Sequence, residues 1–184
     1  MALESTFRTL SVQIRKLCDI LNAVQLTLGD RPVRRGAALA DELENVVLDL
    51  LGRLEEATAA ARTAKAAVVT LDLERARRGL AKCQEIFHAV EQQFSNELVS
   101  FDRLSALAEL GKERGGEWKA WANSMSDAVK EVGAPLAETS RVLAACWQEL
   151  VEHGGRTSIS IRTKNLGQKI VAKDSGEAVG GTPT

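Results

Sequence analysis

The sequence predicts an all-α protein: an antiparallel four-helix bundle of long amphipathic helices, followed by a short β-like C-terminal tail. Composition is the first reason. Aromatic residues are 4% of the 184 residues, tyrosine is absent and prolines number three, whereas residues typical of long helices are abundant. Periodicity is the second reason, because apolar residues recur at alternating spacings of three and four. We assign residues 1–155 to the bundle domain and residues 156–184 to the tail.

The first helix shows the clearest pattern. Ser5 or Thr6 can cap its start, and Gly29 with Pro32 predicts its end. Its apolar seam keeps nearly the heptad period of a coiled coil. The seam consists of Phe7, Leu10, Ile14, Leu17, Leu21, Val24 and Leu28.

The second helix is predicted from Leu39 to Val68, with a first half rich in acids and a second half rich in alanine. Large apolar residues such as Leu43, Leu50 and Leu54 form the first part of its seam. Residues 57–61 are all alanine except Thr58. Small side chains let a neighbouring helix approach closely, so we expect the bundle to taper towards the end of this helix.

The third segment begins near Thr70 or Asp72, either of which can cap it, and its seam extends from Leu73 through Phe101 and Leu104 to Ala108. The spacing slips once, because two four-residue steps follow each other at Val90, Phe94 and Leu98. Such a slip unwinds the supercoil or marks a break. A separate helix could begin at residues 95–96 or at residues 100–102, and the sequence leaves both possibilities open.

The fourth segment begins at Glu117 and has a broad apolar face that extends to Leu150. Gly133 and Pro135 lie in its middle, which predicts a kink or a short break. His153 and two following glycines predict its end.

The tail changes period. Residues 157–163 alternate polar and apolar side chains, which predicts a strand, and residues 169–171 could form a second extended piece. A turn is expected at residues 165–167 and disorder from residue 174. The tail is also basic, since no acid occurs between residues 156 and 173. Its cations are Arg156, Arg162, Lys164, Lys169 and Lys173.

No combination of residues indicates catalysis, a cofactor or a metal. His88 lacks the lysine and glycine that follow the histidine of phosphotransfer bundles, and Glu85 with His88 gives only one of the two motifs of a di-iron bundle. Cys18, Cys83 and Cys146 have neither disulfide-framework nor zinc-site spacing, and each lies on or beside an apolar seam. We therefore expect a non-enzymatic protein.

Other classes of function are disfavoured by charge and by the N-terminus. A formal net charge of −1 argues against general binding of nucleic acid. Because the first residues resemble neither a signal peptide nor a myristoylation site, and the thiols suit a reducing compartment, we expect a cytoplasmic location.

The expected partner is a protein or another copy of the chain. A short strand-like segment is only marginally stable alone, so the tail should dock on a partner or on an acidic surface such as the first half of the second helix. Trp118 and Trp121, one turn apart, are either core residues or partner contacts. The candidate partner-binding residues are Ile159, Ile161, Arg162, Lys164, Leu166, Ile170, Trp118 and Trp121.

The predicted function is a signalling or scaffold module that forms oligomers. In architecture, a helical bundle with a short β motif at one terminus resembles the HeLo-like four-helix domains of cell-death signalling. That resemblance implies an alternative, a membrane-active effector whose first helix lies in an anionic membrane surface. Residues 165–168 do not reproduce the apolar-Gln-apolar-Gly core of the amyloid motifs that trigger such assemblies.

Overall fold

The computed structural model describes the backbone of residues 2–32 and 38–174, and the side chains of residues 3–32 and 38–154. Every regular element in those residues is a helix. The elements are α1 (Ala2–Gly29), α2 (Ala38–Val69), α3 (Leu73–Gln93), a π-helical turn (Phe94–Leu98), α4 (Phe101–Arg114), α5 (Gly116–Glu131) and α6 (Gly133–Asp174).

Four helices pack together, with α5 and α6 in succession acting as the fourth. The Thr6 hydroxyl donates to Glu149, and Trp121 donates to the Thr27 carbonyl, so α5 and α6 run antiparallel to α1. The side chain of Gln93 at the end of α3 donates to Asp49 in the first half of α2, so these two helices are also antiparallel. The all-α, four-helix prediction is confirmed.

The core follows the predicted seams closely. All seven residues of the α1 seam, from Phe7 to Leu28, are at most 1% exposed. Burying apolar side chains on one face is the main source of stability for such helices. The described core extends from Leu3 to Leu150, within the range assigned to the bundle.

Several helix ends match the predictions. α1 ends at Gly29, the Asp72 side chain accepts a hydrogen bond from the Arg75 backbone at 3.0 Å, and Ser100 caps α4 by accepting from Arg103. The predicted caps of α1 are wrong, because that helix already begins at Ala2, ahead of Ser5.

The slip in the third segment is a π-helical turn, Phe94–Leu98. A π-turn contains an extra residue, which absorbs the second four-residue step. The helix ends at the π-turn, and α4 begins as a new helix at Phe101, after its N-cap Ser100. This restart changes the rotation of the following residues, so Phe101, expected on the seam, is instead 84% exposed.

The fourth helix is broken where glycine and proline predicted a kink. α5 ends at Glu131 and α6 begins at Gly133. Pro135 therefore lies in the first turn of α6, where a backbone N–H would have no acceptor within the helix. The break costs no internal hydrogen bond at the proline.

The β-like tail is the part of the fold prediction that the structure does not confirm. The structure continues α6 as a helix to Asp174, through residues 157–163 that were predicted as a strand and past the expected end at His153. A helix satisfies its backbone hydrogen bonds within its own segment, whereas a lone strand needs a partner strand, and the described residues contain none. Residues 175–184 lie outside the described part of the chain.

Candidate functional site

A long furrow follows the outer side of α2 and α3. It consists of three adjoining hollows with volumes of about 580, 390 and 330 Å³. The first and second hollows share Lys82, and the second and third share Thr63 and Arg75. We call this surface the α2–α3 furrow, and it extends along α2 from Asp49 to Thr70, the residue after the end of that helix.

Small residues let the two helices of the furrow approach closely. A Cβ atom added to Gly79 of α3 would lie 3.0 Å from both the Cβ and the backbone nitrogen of Ala64. The two helices therefore touch through their backbones at this point, as the alanine-rich half of α2 predicts. Gly52 is exposed in the first hollow, and a Cβ added there would have nothing within 4 Å.

The end of the furrow near Asp49 is acidic. Glu55, Glu56 and Glu85 line the first hollow together with Asp49. Gln93 donates to the Asp49 carboxylate at 2.8 Å and Arg53 at 3.0 Å. These two hydrogen bonds, the one from Gln93 first, lower the pKa of Asp49 and keep it ionised.

The end of the furrow near Thr70 is basic. Arg62, Arg75, Arg78 and Lys82 line the second and third hollows, over a floor that includes Gly79. Among the described residues, Lys82 has only a long contact of 3.8 Å with Glu85. This end of the furrow therefore carries cations on both helices.

The charge separation extends through the whole α2–α3 hairpin. Residues 58–82, the basic half, contain six Lys or Arg and two acids. Residues 38–57 and 83–98, the acidic half, contain nine acids and one Arg. Such a separation of positive and negative charge creates an electrostatic field along the hairpin, even though the net charge of the chain is near zero.

The two tryptophans predicted as core or partner contacts are buried inside the chain. Their rings lie edge to face, with centroids 5.5 Å apart, and Arg114 lies 4.6 Å above the Trp118 ring. Trp121 Nε1 donates to the Thr27 carbonyl at 2.8 Å. At most 8% of either residue is exposed, so they tie α5 to α1 and offer little surface to a partner.

The other predicted contact residues lie in the second part of α6. Their backbone belongs to the helix that extends to Asp174, while their side chains lie outside the described residues. The structure therefore neither gathers them into a site nor separates them. They are Ile159, Ile161, Arg162, Lys164, Leu166 and Ile170.

The chemically reactive residues are dispersed. Cys83 and Cys146 are buried, and burial raises the pKa of Cys83 to about 11 and that of Cys146 to about 12. Burial also raises the pKa of Cys18. His88 is exposed, with its Nδ1 atom 4.0 Å from Glu91. In the described part of the chain, no three His, Cys, Asp or Glu residues gather as a metal site would require.

A separate hollow, outside the furrow, lies at the α2–α3 turn and is mostly apolar. It has a volume of about 440 Å³ and adjoins the N-terminal end of α1 and His153 of α6. Leu71 on its rim has a φ of 58° and is 83% exposed, and Val69 is exposed beside it. A left-handed backbone is costly for leucine. The turn therefore keeps the exposed Leu71 in a backbone conformation that is unfavourable for leucine. None of the described helices has an apolar stretch that could cross a membrane.

Comparison with known proteins adds no relative: no family model, no curated protein and no solved structure matches the chain. The furrow itself was missed in the sequence analysis. Its signal was present as a charge asymmetry: apart from Arg53, the acids of α2 precede its cations, and apart from Glu74, the cations of α3 precede its acids. In an antiparallel hairpin, that order places like charges side by side.

Proposed function

We propose that the chain is a non-enzymatic protein–protein interaction module that serves as a scaffold or signalling component. The observation that carries this proposal is the α2–α3 furrow, an open surface whose two ends have opposite charge. Charged groups arranged in this way select a partner with a complementary pattern and speed its encounter. The basic tail is the second proposed contact segment, through its cations and through Ile159, Ile161, Leu166 and Ile170.

Light scattering and circular dichroism test the role of the tail. The full chain is compared with a truncation that ends at Gly155, which retains the whole described core. We expect the full chain to form larger assemblies than the truncation at equal concentration, because only the full chain carries the proposed apolar contacts Ile159, Ile161, Leu166 and Ile170.

The control keeps the length and charge of the full chain and changes those four apolar residues to serine. It should behave like the truncation if apolar contact drives assembly, and like the wild type if charge alone does. Equal masses for all three proteins would remove the tail from the proposal.

A membrane-active effector is the alternative, and the apolar α2–α3 turn favours it. Leu71 and Val69 are exposed there, close to the cations of the basic half, which is a combination that suits an anionic lipid surface. Vesicles of anionic lipid filled with dye separate the two functions. An interaction module leaves them intact at micromolar concentration, whereas an effector releases the dye.

A further inference from the structure

We propose that the α2–α3 furrow is the interface of a two-fold symmetric homodimer, in which the basic half of each copy faces the acidic half of the other. This inference rests on the proposed function in taking the furrow as a contact surface, and it names a second copy of the chain as the partner.

Self-complementarity is the first argument. In a two-fold interface the same patch occurs on both partners, so each group at one end of the patch meets the group at the other end. The furrow carries cations at one end and acids at the other. Two copies that pack antiparallel therefore bring opposite charges together along the whole furrow, whereas a parallel arrangement opposes like charges.

The free charges of one copy are the second argument. Within the described side chains, Arg62, Arg75 and Arg78 make no ion pair, and neither do Glu55 and Glu56. Arg75 and Arg78 are also like charges three residues apart on α3, a spacing that is mildly destabilising. A second copy supplies the missing partner to both sets at once.

The shape of the surface agrees with a modest interface. The furrow extends over about 20 residues of α2, hence about 30 Å. Two helices side by side are about 20 Å wide, which gives roughly 600 Å² per copy, at the lower end of specific interfaces. The exposed small residues, Gly52, Thr63 and Ala66, allow close approach but bury little apolar area. The dimer is thus expected to be weak, in the micromolar range, and sensitive to salt.

Charge reversal in the full-length chain tests the interface. One variant reverses three cations at the basic end of the furrow, and the other reverses three acids at its acidic end. The acidic variant carries Arg62→Glu, Arg75→Glu and Arg78→Glu. The basic variant carries Glu55→Lys, Glu56→Lys and Glu85→Lys.

Sedimentation velocity across a concentration series, at 50 mM salt, measures the monomer–dimer equilibrium. We expect the dissociation constant of each variant alone to rise at least about tenfold, since like charges then face each other. An equimolar mixture of the two variants should recover dimers, because the three reversed residues of each variant again face residues of opposite charge. Raising the salt to 500 mM should weaken the wild-type dimer by about tenfold or more.

A matched control separates the effect of the furrow charges from the effect of the net charge of the chain. Lys112→Glu, Lys119→Glu and Lys130→Glu change the charge by the same amount as the acidic variant, at exposed positions on α4 and α5. This control should dimerise like the wild type. Circular dichroism and thermal unfolding of each protein confirm that it is folded before its mass is compared.

A wild-type chain that stays monomeric at 50 mM salt overturns the proposal. So do furrow variants that dimerise unchanged, or a mixture that stays monomeric. The truncation ending at Gly155 distinguishes the two proposals. Dimers that persist in the truncation but dissociate when the furrow charges are reversed support the furrow alone. Dimers that are lost in the truncation but persist in the charge-reversal variants support the tail alone.

Discussion

Trp121 closes the C-terminal end of α1. The last four carbonyls of a helix have no N–H partner within it, and the Thr27 carbonyl is one of them. Trp121 Nε1 donates a hydrogen bond to this carbonyl at 2.8 Å, while the ring of Trp121 is buried against Trp118. One side chain thus supplies both apolar contact and a helix-end hydrogen bond.

Replacing Trp121 by phenylalanine tests that bond. The ring remains aromatic, but the Thr27 carbonyl loses its donor, so we expect the free energy of unfolding to fall by about 1–2 kcal/mol beyond the effect of smaller size. Trp147→Phe is the control, because its buried Nε1 finds no acceptor in the described part of the chain. Urea unfolding followed by circular dichroism measures both, and equal losses would contradict the role of the bond.

The buried thiols are expected to make the folded protein less stable at alkaline pH. The ordinary pKa of a thiol is 9.0, but the folded chain holds that of Cys83 at about 11 and that of Cys146 at about 12, chiefly by burial. The folded state thus keeps protons that the unfolded state loses. The contribution of these thiols to the free energy of unfolding should therefore be constant below pH 9, and above it the free energy should fall by about 1.4 kcal/mol per pH unit for each thiol.

Unfolding in urea at pH 8 and pH 10.5 checks this dependence against a Cys83→Ala, Cys146→Ala double variant. The chain has no tyrosine, and the lysines are common to both proteins, so the difference between the two pH profiles isolates the thiols. The wild type should lose more stability than the double variant. Parallel profiles would show that the thiols ionise alike in the two states.

Two glycines in the α2–α3 pair test how closely the helices pack. Gly52→Ala should stabilise the protein by about 0.5–1 kcal/mol, because alanine suits a helix better and a new Cβ has open space. Gly79→Ala should destabilise it by about 1–3 kcal/mol despite the same gain, since its Cβ meets Ala64 at 3.0 Å. Thermal and urea unfolding give the sign of each change.

The helices and their ends were largely predictable because their signals are local. A seam period shows which face is buried, and Asp72, Ser100 and Pro135 mark boundaries through their own backbone chemistry. Phe101 shows where this fails. Its exposure depends on how the chain restarts after the π-turn, and an apolar period continued across a break carries no information about that rotation.

Across the whole molecule, the furrow could not be read from local pattern. Arg62 and Arg75 meet at its basic end only because the chain reverses between them, and their charges stand out only when the two helices are laid side by side. The hydrogen bond from Trp121 to Thr27 likewise joins residues 94 positions apart. Sequence periodicity placed the tryptophan on the seam but could not identify the acceptor.

The π-turn at Phe94–Leu98 also constrains how the length of this chain can change. It contains one residue more than an α-helix would need, so removing one residue there would restore regular winding locally. Each residue turns a helix by about 100°, and everything downstream would be rotated against α1 and α2. The hydrogen bond from Trp121 to the Thr27 carbonyl of α1 depends on the present rotation. An insertion or deletion that a surface loop would absorb would here misalign half the bundle.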